Sequence, residues 1–219
     1  MDEAEFRAHV LEPAARRNVV QLYFGPAGDL AGYCALHRFS RVLKGRECFV
    51  IRGEAGLRRD YRGRGTTYWF GMLFALRQKL RHPLTPVYYL GTLVHASSYH
   101  LFCKYFRRVY PAHDCPMPAD LRELALELAD SFDAPAVDPA DPLVRDVGWI
   151  TIETPQEARL SARTDLADVP FYRARNPGYV SGHGLVVLVP LDLRNLGGAL
   201  VTYLGEALRN LIRRRRPRL

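Results

Sequence analysis

Residues 58–67 read RRDYRGRGTT, and the nine that follow, YWFGMLFAL, are almost wholly apolar. Four arginines and two glycines in eight residues, directly ahead of a helix-like run, suit the wrapping of an anion. The first turn of a helix carries unpaired N–H groups and the positive end of the helix dipole. Glycines there let the backbone approach a phosphate with no Cβ in the way. The stretch matches neither GxxxxGK[ST] nor GxGxxG, so those two phosphate cradles are set aside. His95, His100 and Cys103 are the other side chains that could do chemistry, with His100 and Cys103 spaced for one helix face. No second pair at ligand spacing accompanies them, so no metal is assigned. The four cysteines, Cys34, Cys48, Cys103 and Cys115, form no CxxC pair, which argues against both a zinc site and a disulfide framework.

A cradle needs a strand behind it and a helix ahead of it. Residues 18–24 (NVVQLYF) read as a strand, GPAGD as a turn, and 31–40 as a second strand completing a hairpin. KGR at 44–46 turns the chain into a third strand, ECFVIRGEAGL, that leads into the loop. Residues 67–80 have helical length, with a threonine pair at the N-cap place and basic residues in the last turn. VYYLGTLV at 87–94 reads as a strand covered on both faces. ASSYHLFCKYFRRVY returns to helical periodicity, with Ser97 or Ser98 as cap and Pro111 as terminator. The order is therefore β-β-β-α-β-α. Beyond it come an amphipathic helix at 120–132, strands at 147–154 and 184–191 separated by a long polar loop, and a helix over 196–212 before the tail RRRRPRL.

These features together resemble the GCN5-related N-acetyltransferase superfamily. Its pyrophosphate signature runs R/Q-x-x-G-x-G/A, and Arg62, Gly65 and Thr67 occupy those places. The order of elements over residues 18–111 also follows that family, whereas 112–219 diverges and falls on the acceptor side. The resemblance implies one GNAT-like domain over 1–219, an α/β (α+β) fold with a central, mostly antiparallel mixed sheet flanked by helices. It implies acyl transfer from acetyl-CoA or a longer acyl-CoA to an amine, with no metal. By the same resemblance Gly56, Leu57 and Arg58 run along the acyl-pantetheine, and the amides of Arg62, Gly63, Arg64, Gly65, Thr66 and Thr67 take the pyrophosphate. Glu54 falls at the general-base position. The second motif departs from the family pattern: His95 stands where asparagine is usual and Phe102 where a tyrosine acid often stands. Tyr105, then Tyr99, are the alternatives for that acid, and residues 1–17 leave little room for the family's opening strand and helices.

The net charge of +8, nearly all of it arginine, favours an anionic partner. A nucleic-acid-binding module using the clusters at 58–64, 107–108 and 213–216 is one rival class. A catalytically inactive CoA-binding sensor is the other. Leu196, Leu200, Tyr203, Leu204, Ala207, Leu208 and Leu211 lie at helical spacing, for packing on the core or, with the basic tail, for contact with a partner or membrane surface. No apolar run reaches the roughly 20 residues of a membrane span, and the acidic N-terminus lacks an apolar leader; a cytoplasmic protein is the expectation. In 112–183, Tyr172, Asn176, Tyr179 and His183 are the most site-like residues.

Overall fold

The computed structural model describes residues 3–62, 66–132, 135–148, 150 and 152–215. Six strands form one mixed sheet: β1 (Arg17–Phe24), β2 (Leu30–Leu43), β3 (Arg46–Leu57), β4 (Val87–Leu93), β5 (Val144–Asp146) and β6 (His183–Pro190). Their spatial order is β1-β2-β3-β4-β6-β5, and every pairing is antiparallel except β3 with β4. A mostly antiparallel mixed sheet flanked by helices is therefore the architecture. The β2–β3 connection is a two-residue turn in which Lys44 (φ 47°) and Gly45 (φ 76°) both adopt positive φ. This twist matches that of the flanking strands, and glycine meets its conformational demand without a steric penalty.

The one parallel pair requires a crossover, supplied by α2 (Thr66–Arg81). After β4 come α3 (Ala96–Tyr105) and α4 (Ala119–Asp130). The core runs from Phe39, Val50 and Ile51 through Leu90 to β6, whose residues Leu185 to Val189 are all buried. That burial explains why GLVVLVPL is continuously apolar rather than alternating. Leu124 and Leu128 of α4 join the same cluster.

The second half departs from the pattern reading at several points. α3 stops at Tyr105, and His95, with no capping hydrogen bond from its side chain, takes the N-cap place in preference to Ser97 or Ser98. Tyr110 then exchanges both backbone hydrogen bonds with Leu188 (2.9 and 2.8 Å), so an apolar run that mimics helix is spent on the sheet. No strand covers the described part of 147–154; β5 ends at Asp146 and Thr154 starts α5 (Pro155–Ser161). Thr154 Oγ1 accepts from the Glu157 N–H and Glu157 accepts from the Thr154 N–H, a capping box with proline at the first helical position. The expected polar loop after it instead holds α5, α6 (Asp168–Arg175) and a 3-10 turn, Pro177–Ser181. The last helix, α7 (Leu193–Arg215), buries Leu196 and Ala199, whereas Val201, Leu204, Leu208 and Ile212 are exposed. At the N-terminus, α1 (Glu3–Phe6) continues as a π-helical turn through Leu11. None of the described helices is long and apolar enough to cross a membrane.

Candidate functional site

The β3–β4 ladder spans only Phe49↔Val87 to Ile51↔Tyr89. Both strands continue past it, β3 to Leu57 and β4 to Leu93, while staying paired on their outer sides to β2 and β6. The two central strands therefore fork. Residues of both arms line a cleft of about 1180 Å³ that also takes in Arg62, Thr67 and Tyr68 at the start of α2 and Thr154 to Glu157 of α5.

Backbone direction alternates along a strand, so the polar groups facing the fork can be read from three hydrogen bonds. Phe49 N–H donates to Pro86 O on the β4 side (2.9 Å), and Arg58 N–H donates to Ala31 O on the β2 side (2.9 Å). Odd-numbered residues of β3 thus turn their N–H and C=O groups toward the fork. Gly53, Ala55 and Leu57 do so, and all three line the cleft. Leu191 N–H donates to Val87 O (2.8 Å), which sends the odd residues of β4 toward β6 and leaves Leu90 and Thr92 facing β3. The fork is a slot with peptide groups along both walls.

This geometry reorders the residues expected along the strand. Leu57 faces the fork, and its carbonyl accepts from Arg62 Nε at 3.0 Å. Gly56 and Arg58 turn their backbone toward β2 and do not line the cleft. Arg58 instead pairs with Asp29 and with Asp60. The pattern reading missed Gly53 and Ala55, although the alternation of a strand ending at Leu57 contains them. Arg62 reaches from the loop to Ile152 O (3.1 Å) and Glu157 (3.4 Å), joining the start of α2 to α5. Thr66 opens α2 and Thr67 lines the cleft beside it. Gly63, Arg64 and Gly65 lie outside the described residues.

Glu54 lines the cleft, with Arg52 3.8 Å away along the same strand face. Burial pushes its carboxyl above the ordinary carboxylate range, and Arg52 then His9 oppose that shift. Tyr105 also borders the cleft, but its hydroxyl donates to Glu206 of α7 at 2.8 Å, and burial raises its pKa. Tyr99 is a different case. It is 0% exposed and donates to Pro111 O at 2.7 Å, inside the core and off the cleft wall. Phe102 stacks on Tyr89 at 4.7 Å.

Tyr172 and Asn176 are fully buried: the Tyr172 hydroxyl donates to Leu93 O (2.9 Å) and Asn176 Nδ2 donates to that hydroxyl (3.1 Å) and to His183 O (3.1 Å). Tyr179 packs edge-on against Tyr172. These four residues brace the end of β4 rather than line the cleft. The 112–183 segment reaches the cleft through Phe132, Asp146, Val147 and α5 with its cap instead. The T-P-Q-E stretch at 154–157 is the sequence signal that would have found it.

His95 sits at the end of the β4 arm, 6% exposed and on the cleft wall. Its Nδ1 lies 3.5 Å from Glu153 Oε1, and neither ring nitrogen has a hydrogen-bond partner. His100 is held separately by Asp168 (2.7 Å). Among the described residues no group of three His, Cys, Asp or Glu is placed to hold a metal ion. No protein-family model matches the chain, and no curated protein matches it.

Proposed function

We propose that the chain is an acyl-CoA-dependent N-acyltransferase that passes an acyl group, acetyl or longer, directly from the CoA thioester to an amine. The fork carries this reading. Pantetheine is an extended chain with two amides, and a slot offering peptide groups from Gly53, Ala55 and Leu57 on one wall and Leu90 and Thr92 on the other suits it as an added strand would. In the sequence RGRG directly precedes Thr66, where α2 opens, and a pyrophosphate there would gain from helix N–H groups. An N–H of the β3 arm is the donor for the oxyanion that forms as the thioester carbonyl is attacked. Glu54, on the cleft wall with a raised pKa, takes a proton from the acceptor ammonium.

A second reading, CoA binding without turnover, draws on the acid position. Phe102 is stacked on Tyr89, and the hydroxyls of Tyr99 and Tyr105 are committed to Pro111 O and Glu206. Calorimetric titration with acetyl-CoA and a longer acyl-CoA, beside a Gly65→Glu variant, tests both. Micromolar binding by the wild type that the variant loses, with its circular dichroism unchanged, is the expected outcome. A folded wild type that binds neither thioester would overturn the reading, and binding without thiol release across a panel of amines would favour the sensor.

A further inference from the structure

We propose that His95, held by Glu153, is the group that carries a proton from the acceptor nitrogen to the CoA sulfur. The inference rests on the acyl-CoA reading above. An imidazole 6% exposed whose Nε2 has no partner, and whose Nδ1 meets only Glu153 at 3.5 Å, leaves a polar group unsatisfied at a cost that a ligand in the cleft would relieve. Its surroundings supply a partner for the charged form. Glu153 Oε1 lies 3.5 Å from Nδ1, and the same oxygen is steadied by the Ser161 hydroxyl at 2.7 Å. Glu153 is thus a positioning residue that orients the ring and holds the imidazolium when it forms.

The charged groups acting on His95 are Glu153 and Glu157, which favour its protonation, and Arg62, which opposes it. Burial outweighs them and keeps the ring neutral near pH 7, the form that can accept a proton. It stands beyond the end of β4 whereas Glu54 lies on the β3 arm of the same cleft, and the proposal gives the two different protons. The acceptor arrives as an ammonium and gives its first proton to Glu54. Its nitrogen lone pair then forms the C–N bond, and the tetrahedral intermediate carries a protonated nitrogen. His95 takes that second proton, the C–S bond breaks with its electron pair on sulfur, and the imidazolium returns the proton to the thiolate. The sum is amide plus thiol, with one proton released to solvent from Glu54.

The test is NMR titration of the histidine ring signals in the full-length protein, free and saturated with CoA or with desulfo-CoA, which lacks the sulfur. A His95→Asn variant assigns the signal among the seven histidines. The expected result is a His95 pKa that differs by about half a unit or more between the two complexes, because only one places a titrating sulfur beside the ring. In Glu153→Gln the His95 pKa falls further, and the difference between the two complexes shrinks. Equal His95 titrations in both complexes, with both ligands bound by calorimetry, would overturn the proton-carrying role and leave the acyl-CoA reading standing. Failure of both ligands to bind the folded wild type would remove the acyl-CoA reading and this proposal with it.

Discussion

Two side chains show how burial sets protonation here. Glu54 shares its strand face with Arg52, and burial still holds its carboxyl above the ordinary range. In the proposed transfer such a base would lose its function as pH falls through its raised pKa, so Glu54 would contribute to the acid limb of the pH–rate profile alongside the protonation of His95. On that reading Glu54→Gln is expected to lower kcat by roughly 10²–10⁴ and to remove its share of that limb, with the calorimetric affinity for acetyl-CoA unchanged. His37 is 2% exposed, and burial, then Arg52, depress its pKa from 6.5 to about 4. The unfolded chain binds a proton near pH 6.5 that the folded chain refuses until about pH 4, so folding loses stability as pH drops through that window. The loss is at most about 3–4 kcal/mol. His37→Gln, which keeps a partner for Asn18 Oδ1, should show a smaller fall in thermal midpoint between pH 7.5 and 4.5 than the wild type.

At the scale of elements, the cleft depends on a few long-range ties. The aromatic rings of Tyr68 and Trp69 on α2 stack on Tyr203 of α7 (5.8 and 5.2 Å), which seats the last helix beside the helix that opens at the loop. Asn195, 2% exposed at the start of α7, accepts from the Arg107 and Arg108 N–H groups and donates to Arg108 O and Pro190 O. It ties the segment after α3 to the end of β6. Asn195→Ala strands the buried Pro190 carbonyl and the partly buried backbone groups of Arg107 and Arg108, at a cost of about 2–3 kcal/mol. The expected drop in thermal midpoint is roughly 5–10 °C; a change under about 2 °C by calorimetry would show that water replaces the side chain. The short-range elements were legible: the hairpin, the Lys44–Gly45 turn, α2, β4 and β6 fall where their periodicity and punctuation put them. β5, α5 and α6 were not, because a three-residue strand has no period and the signal for α5 lies in its cap.

Over the whole molecule, the net charge of +8 already subtracts the carboxylates, but the arginines of the clusters at 58–64 and 107–108 are partly neutralised where they stand. Arg58 is paired with Asp29 and Asp60, Arg62 with Glu157, and Arg108 with Asp192. Nucleic-acid binding draws its affinity from many phosphate contacts and falls steeply with salt. A 20-nucleotide single strand is therefore expected to bind more weakly than acetyl-CoA at 150 mM NaCl by fluorescence anisotropy and calorimetry. The reverse order would favour the nucleic-acid reading.

The order β-β-β-α-β-α and the glycine-arginine loop ahead of a helix were settled by the sequence alone. They are written in short windows: a period of two or 3.6, a turn dipeptide, a cap. Only the tertiary structure decided that β3 and β4 part after Ile51 and Tyr89, and so that Gly53 and Ala55 rather than Gly56 and Arg58 face the cleft. It alone brought Glu153 to His95 and Glu157 to Arg62. Each strand carries its own alternation, but where a ladder ends and which distant side chains meet there depend on how helices and strands pack together, and no local window records that.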